Sequence, residues 1–251
     1  MLDYDGTLSP IVSSPDQAFV PTEVEEVIRS IADLPETKVC VISGRSLKDL
    51  SARIPVPGIA LVGNHGMEAE GLDLDVPSET SAGREALSDL AREVTARVGG
   101  IPGAVVEDKG LTISLHYRNA SKKDVPRIKR AFWEGALKHP EIKVAQGRKV
   151  LEARPRGGRD KGQVTAAILD REAGAHPGLM ALYAGDDTTD EHAFRSLRGR
   201  AVTVKVEGEF RGLPTQAQLR VEGPSSLYRG LAELLSERRA WMTTSIPERR
   251  V

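Results

Sequence analysis

The chain has 251 residues, 35 Lys and Arg against 36 Asp and Glu, and a formal net charge of -1. At about 150 residues per domain this is one large domain or two modest ones, with enough length to bury a core. Its 39% hydrophobic and 28% charged residues exclude a disordered chain, and the near-zero charge lacks the signature of a nucleic-acid binder.

Taken in order, apolar runs alternate with amphipathic stretches, the pattern of a parallel sheet covered by helices on both faces. Residues 1–4 read as a stub of strand. A helical period of Val24, Val27, Ile28 and Ile31 follows Pro21 and predicts a helix over residues 22–34. Residues 38–42 and 59–62 read as buried strands, with a short helix over 47–53 between them. Cys40, the one cysteine, lies in the first of these runs, excludes an intrachain disulfide and fits a reducing compartment. With no apolar run near the ~20 residues of a membrane helix and no signal peptide before the first motif, a cytoplasmic location is expected.

The middle of the chain has a different order: helix 84–98, two strands, helix 122–138, two strands. Residues 111–118 alternate apolar and polar with period two, as a half-exposed antiparallel strand does. Asp108-Lys109-Gly110 and Gln146-Gly147-Arg148 supply hairpin turns. On helix 122–138, Phe132 and Trp133 read as core. The α/β pattern then resumes with a helix from Lys161 to about Asp170, a strand over 179–184, a helix over 190–197 and a strand over 201–206. Residues 219–221 and a helix over 225–237 close the fold, and residues 238–251 read as a polar, frayed tail. The expected fold class is α/β, a doubly wound parallel-sheet core (1–78 and 156–251) with an inserted α+β open-sheet cap (79–155, αββαββ). Residues 77–155 hold 15 Lys and Arg against 10 Asp and Glu, a net +5, so the remainder carries -6. A basic lid over an acidic core suits an anionic ligand and a cation sharing one cleft.

Four segments carry the chemistry. Asp3-Tyr4-Asp5-Gly6-Thr7 places two carboxylates at i and i+2 where a strand ends, at the sheet edge where such folds bind ligands. Two neighbouring carboxylates can divide nucleophile and acid/base roles. Val41-Ile42-Ser43-Gly44-Arg45 ends a strand on a hydroxyl followed by backbone N–H groups suited to a phosphoryl oxygen. Gly158-Arg159-Asp160-Lys161-Gly162 opens a helix with a lysine placed to neutralise a transferred phosphate. Gly185-Asp186-Asp187-Thr188-Thr189-Asp190-Glu191 crowds carboxylates that repel one another without a hard cation, for which Mg²⁺ is suited.

In this order the four segments resemble the motifs of the haloacid dehalogenase superfamily of phosphotransferases. The resemblance implies that Asp3 attacks phosphorus to form an aspartyl-phosphate, while Asp5 protonates the leaving alcohol and then activates water. It implies Mg²⁺ held by Asp3, Asp5 and Asp186, with Asp187 and Asp190 in support, and Ser43 and Lys161 on the phosphoryl oxygens. Further stretches, Gly63-Asn64-His65-Gly66-Met67-Glu68, Val106-Glu107-Asp108-Lys109-Gly110 with His116-Tyr117-Arg118, and Glu152-Ala153-Arg154-Pro155, resemble the trehalose-6-phosphate phosphatases within that superfamily.

That closer resemblance implies hydrolysis of trehalose 6-phosphate to trehalose and phosphate. Substrate contacts would then come from Gly6, Thr7, Gly44, Arg45, Asn64, His65, Glu107, Lys109, His116, Arg118, Arg148 and Glu152. It also implies a small-molecule sugar phosphate as ligand, a trehalose-phosphate synthase as functional partner, no nucleic-acid or membrane partner, and a monomer. Other sugar phosphates (sucrose phosphate, glucosylglycerol phosphate, mannosyl-phosphoglycerate) and a non-catalytic sugar-phosphate-binding or regulatory role remain alternative readings. Where that family has several apolar residues before the first aspartate, only Met1 and Leu2 stand here. The expectation is that apolar residues placed upstream would stabilise the central strand.

Overall fold

The computed structural model describes residues 1–12, 15–74, 81–147, 149–208 and 211–245. The core sheet is built in two halves. β1 (Cys40–Ile42) and β2 (Ala60–Gly63) run parallel, and β3 (Glu68–Glu70) closes that edge antiparallel. The other half comprises β8 (Leu182–Gly185), β9 (Val202–Val206) and β10 (Leu219–Val221), all parallel, in the order β10-β9-β8. The expected N-terminal strand is reduced to one residue. Leu2 bridges Val41 on one side and Ala184 on the other, both parallel, and so joins the halves. Its N–H donates to the Cys40 carbonyl at 2.9 Å, its carbonyl accepts from Ile42 N at 2.8 Å, and Asp3 N donates to the Ala184 carbonyl at 2.9 Å.

Period two on these strands separates two apolar layers. Val41 and Leu61 point toward α1 (Thr22–Ala32), α2 (Leu47–Arg53) and α7 (Pro224–Ser245), packing with Val24, Ile28, Leu50 and Leu231. Cys40, Ile42, Ala60 and Val62 point the other way, toward Val164, Ile168 and Phe194 of α5 (Lys161–Ala175) and α6 (Asp190–Ser196). This is the doubly wound arrangement expected.

The inserted sheet, in the order β4-β5-β7-β6, is antiparallel and comprises β4 (Val105–Asp108), β5 (Ile113–His116), β6 (Ile142–Gly147) and β7 (Val150–Pro155). One of its faces is apolar. Ile113, Leu115, Leu151 and Ala153 pack on Leu87, Leu90, Val94 and Val98 of α3 (Ser81–Val98) and on Ile128 and Phe132 of α4 (Val125–Ala136). The opposite, polar face is set by register, since Glu107 pairs Ser114 and Ser114 pairs Glu152. Among the described residues no helix is long and apolar enough to cross a membrane.

Several expectations need correction. The tail is not frayed where it is described: α7 continues to Ser245. Good helix formers fill residues 232–240, Arg238 stacks 4.6 Å over the Trp241 ring, and the Thr243 and Thr244 hydroxyls bond back to the Ala240 carbonyl. Likewise α5 runs five residues beyond Asp170, to Ala175. Leu179 and Met180 lie outside β8 and are exposed, so the apolar run there overstates the strand. Phe132 is core but Trp133 is exposed, because α4 turns positions 128 and 132 inward and 133 outward. β3 went unpredicted because it is a short acidic edge strand, which carries no apolar signal. Arg148, in the second hairpin turn, lies outside the described residues.

Phe132 is fully buried between α3 and the inserted sheet. Phe132→Ala is expected to cost about 3–5 kcal/mol in urea unfolding. A cost below about 1 kcal/mol would show that this layer tolerates the cavity.

Candidate active site

The parallel strands deliver their carboxyl ends to one edge, and the candidate site residues follow them directly: Asp3 after Leu2, Ser43 after β1, Asn64 and His65 after β2, and Asp186 after β8. Lys161 arrives as the first residue of α5. Asp160 caps that helix by accepting from Gln163 N at 2.9 Å, and the Gln163 side chain accepts from Asp160 N at 3.0 Å. This reciprocal cap fixes the direction in which the lysine leaves the helix. At the next residue, a Cβ on Gly162 would lie 2.6 Å from the His192 carbonyl oxygen, so only glycine lets α5 approach α6 this closely.

At the centre lies a buried charge cluster. Lys161 Nζ donates to Asp3 Oδ1 at 2.5 Å and to Asp190 Oδ1 at 2.8 Å. Asp190 also accepts from the Tyr183 hydroxyl at 2.6 Å and from the backbone N–H groups of Asp186 and Asp187 at 3.0 and 2.9 Å. With four donor groups on its two oxygens, Asp190 braces the turn that carries Asp186. Burial works against its charge, but Lys161 and these hydrogen bonds outweigh it and hold the carboxyl below its ordinary range. Among the described residues the Asp3 carboxyl is bonded by Lys161 alone and sits beside Asp190, and burial pushes it up to about 7.

Carboxylate oxygens of Asp3, Asp186 and Asp190 lie within 4.8 Å of one another, all buried. A Cβ on Gly6, whose φ is +83°, would sit 2.3 Å from Asp186 Oδ2, so glycine keeps the first acidic loop against the second. Hard oxygen donors and a net negative, buried cluster together fit a divalent cation.

Asp5 stands apart from this cluster. Its side chain is 46% exposed, and Arg45 grips it side-on, Nε to Oδ2 at 2.8 Å and Nη2 to Oδ1 at 2.6 Å. The Ser43 hydroxyl is fully buried and accepts from Arg45 N at 3.1 Å, closing the turn after β1. Asp3, Asp5, Ser43, Gly44, Arg45, Lys161, Asp186 and Asp187 line a cavity of about 430 Å³.

The polar face of the inserted sheet covers the same cavity with Glu107, Lys109, Ser114, His116, Arg118 and Glu152. Direct contacts hold the sheet to the core. Lys109 Nζ donates to the Gly44 carbonyl at 2.9 Å, Thr112 Oγ1 donates to Asn64 Oδ1 at 3.0 Å, and His65 Nε2 lies 3.0 and 3.1 Å from the two Glu152 oxygens. Asn64 is fully buried, and its amide also donates to Glu68 at 2.7 Å, so its polar atoms face protein groups. Both Asn64 and His65 adopt positive φ, 46° and 57°, in a turn stabilised by these partners. His116 meets Glu107 at 2.8 Å. Gly6 shapes the acidic loop, and Thr7 is fully buried beside it.

Tyr183 and Lys205 escaped the sequence reading. Lys205 is buried, and its Nζ donates to the Asp186 carbonyl at 2.7 Å. The available signal was a lysine inside the otherwise apolar run 201–206.

The core and the inserted sheet have the fold expected of haloacid dehalogenase-type sugar phosphatases. A family model described as trehalose-phosphatase matches residues 1–225, and the chain belongs to that family. It is 33% identical over 250 residues to trehalose-phosphate phosphatase B of Arabidopsis thaliana, covering 95% of this chain and 66% of that protein. It is 35% identical over 213 residues to the trehalose-phosphate phosphatase of Mycobacterium tuberculosis, covering 81% of this chain and 52% of that protein. The chain thus spans between about half and two thirds of the length of these relatives. The C-terminal domain of Candida albicans trehalose-6-phosphate phosphatase has the same fold, with a TM-score of 0.77 at 22% identity over 94% of this chain and 91% of that one.

Glu152 offers a pH test of cap docking. Burial favours its neutral form, but His65, Lys109 and Arg154 outweigh burial and hold the carboxyl at about 2, below an ordinary 4.5. Because the folded value is the lower one, its stabilisation is present above pH 4.5 and is lost as pH falls toward 2. The shift corresponds to about 3 kcal/mol. The melting temperature of the parent is expected to fall more steeply than that of Glu152→Gln as pH drops below about 4.5. Parallel curves would refute the docking role.

Proposed function

We propose that this chain is an Mg²⁺-dependent phosphatase that hydrolyses trehalose 6-phosphate to trehalose and phosphate. The observation that carries the reading is the buried Asp3 carboxyl, paired with Lys161 and gathered with Asp186 beneath a polar sheet face. Family membership supplies the substrate.

In the first half-reaction an Asp3 oxygen attacks phosphorus in line, and the bond from phosphorus to the sugar oxygen breaks. The departing oxygen takes a proton from Asp5. In the second half-reaction Asp5 removes a proton from water, which attacks the phosphorus of the aspartyl-phosphate, releases phosphate and restores Asp3. Lys161 and Ser43 hold the phosphoryl oxygens, and Lys161 offsets their charge. The Asp3 carboxylate, the Asp5 carbonyl and Asp186 would hold Mg²⁺, which when bound would supply positive charge against that of the transferred group. Asp190 and Asp187 keep the Asp186 turn in place.

Glu107, Lys109, His116, Arg118 and Glu152 present charged donors and acceptors to the hydroxyls of the distal glucose. A sugar lacking those hydroxyls would leave buried polar groups unpaired and be rejected. Because these groups sit on the inserted sheet, chemistry and recognition are divided between the two sheets.

Phosphate release from trehalose 6-phosphate is expected with Mg²⁺ and lost in EDTA. Asp3→Asn is expected to lower kcat/KM by at least about 10³-fold. No release with Mg²⁺ would sink the phosphatase reading, and equal turnover of sucrose phosphate would sink the assignment of the sugar.

A further inference from the structure

We infer that Asp49 and Arg53 are positioning residues for Asp5, acting through Arg45. The inference rests on the acid/base role proposed for Asp5. A half-exposed aspartate on a loop has no packing reason to keep one orientation, yet proton transfer demands one. Arg45 supplies the constraint through the side-on fork of Nε and Nη2 on the two Asp5 oxygens, at 2.8 and 2.6 Å. Such a fork occupies one lone pair on each oxygen and leaves the others for the departing sugar oxygen or for water.

A guanidinium orients its partner only if it is itself held. The third nitrogen of Arg45, Nη1, donates to Asp49 Oδ2 at 2.6 Å. The other Asp49 oxygen accepts from Arg53 Nε at 2.8 Å. Arg53 then ends the chain on backbone, with Nη1 donating to the carbonyls of Ala18 at 3.0 Å and Asp16 at 3.1 Å. Aromatic faces support both guanidinium groups, Tyr4 under Arg45 and Phe19 under Arg53, each 5.2 Å from ring centroid to guanidinium carbon.

Helix α2, which carries Asp49 and Arg53, is anchored at its start. Ser46 accepts from Asp49 N at 3.2 Å, and Glu68 accepts from Leu47 N at 2.8 Å. The result is a continuous charge-assisted line from the Asp16–Ala18 backbone to Asp5.

Ordinary helix-surface ion pairs do not account for this line. Exposed pairs at i and i+4 are worth a few tenths of a kcal/mol and need no burial. Here both arginine side chains are only 8% exposed, and Asp49 gives a separate oxygen to each. The line is fixed at the buried Ala18 carbonyl and ends on Asp5, in the cavity. Arg45, expected to contact substrate, lines the cavity and directs Nε and Nη2 to Asp5 and Nη1 to Asp49. Its role is to aim Asp5.

Steady-state and single-turnover kinetics on trehalose 6-phosphate with Mg²⁺ test the inference in the parent, Asp49→Asn, Arg45→Lys, Asp5→Asn, and Asp49→Asn combined with Asp5→Asn. Asp49→Asn is expected to lower kcat by about 10-fold with KM changed less than about 2-fold, since misaimed acid/base chemistry costs rate rather than binding. Arg45→Lys, which keeps the charge but cannot fork, is expected not to rescue kcat. In the Asp5→Asn background, single-turnover rates are expected to show less than about 2-fold effect of Asp49→Asn, because the coupling has nothing to act on. If melting shows that Asp49→Asn does not fold, Arg53→Lys takes its place with an expected kcat loss of about 3-fold.

A folded Asp49→Asn with unchanged kcat, a KM rise alone, or the same loss with and without Asp5 would each overturn the inference while leaving the phosphatase reading intact. A parent protein without phosphate release would overturn both.

Discussion

The buried ammonium of Lys161 between Asp3 and Asp190 is the interaction on which the rest of the molecule depends. Taking three charges out of water costs several kcal/mol per ion unless each is met by opposite charge and directed hydrogen bonds. The fold answers that demand by bringing three separate chain segments to one point: the residue after the sheet seam, the first turn of α5 and the first turn of α6. Asp190 is completed by Tyr183 and two backbone N–H groups, whereas the Asp3 carboxyl has, among the described residues, the lysine alone. This asymmetry makes Asp190 a brace and leaves Asp3 less satisfied, as the proposed nucleophilic role requires.

The seam explains why stability and reactivity cannot be separated here. The two halves of the core sheet meet through Leu2, with Val41 on one side and Ala184 on the other. Asp3 is the next residue and still donates its N–H to the Ala184 carbonyl. Any shear between the halves therefore moves the carboxylate relative to Lys161 and Asp186. Gly6 and Gly162 act in the same sense, since each permits a backbone approach that a methyl group would block.

Much of this was legible in the sequence, for reasons that also mark where legibility stops. Strand ends followed by Asp3, Ser43 and Asp186 announce a ligand edge because the parallel-sheet period and the polar break coincide. The αββαββ insert is visible because Leu115 and Leu151 alternate with Ser114 and Glu152. That the polar face turns to the core was expected from charge and resemblance. The contacts that dock it, Lys109 on Gly44 and His65 on Glu152, were not visible, since parity gives a face and not its partners. Lys205 and Tyr183 lie inside apolar runs and reveal their roles only when the turn after β8 folds back on them. Arg45 was legible as part of the site, but its fork on Asp5 was not, because a motif carries a residue type without the direction of its side chain. The helix beyond residue 237 was missed because its polar residues hide the few contacts, Leu231 and Leu235 upstream and Arg238 on Trp241, that sustain it.

The turn after β1 is where these constraints meet. Ser43 closes it by accepting from Arg45 N, Arg45 leaves it to fork Asp5, and the Gly44 carbonyl between them accepts from Lys109 of the inserted sheet. Docking of the inserted sheet and holding of Asp5 thus bear on consecutive residues of one short turn. Under the proposed function, a sugar that draws Lys109 away from Gly44 would release a contact adjacent to the residue holding Asp5. Recognition of the distal sugar and orientation of the proposed proton-transfer group would then be joined by covalent neighbours, with no long-range relay required. The buried lysine cluster fixes Asp3 from below, and this turn fixes Asp5 from the side.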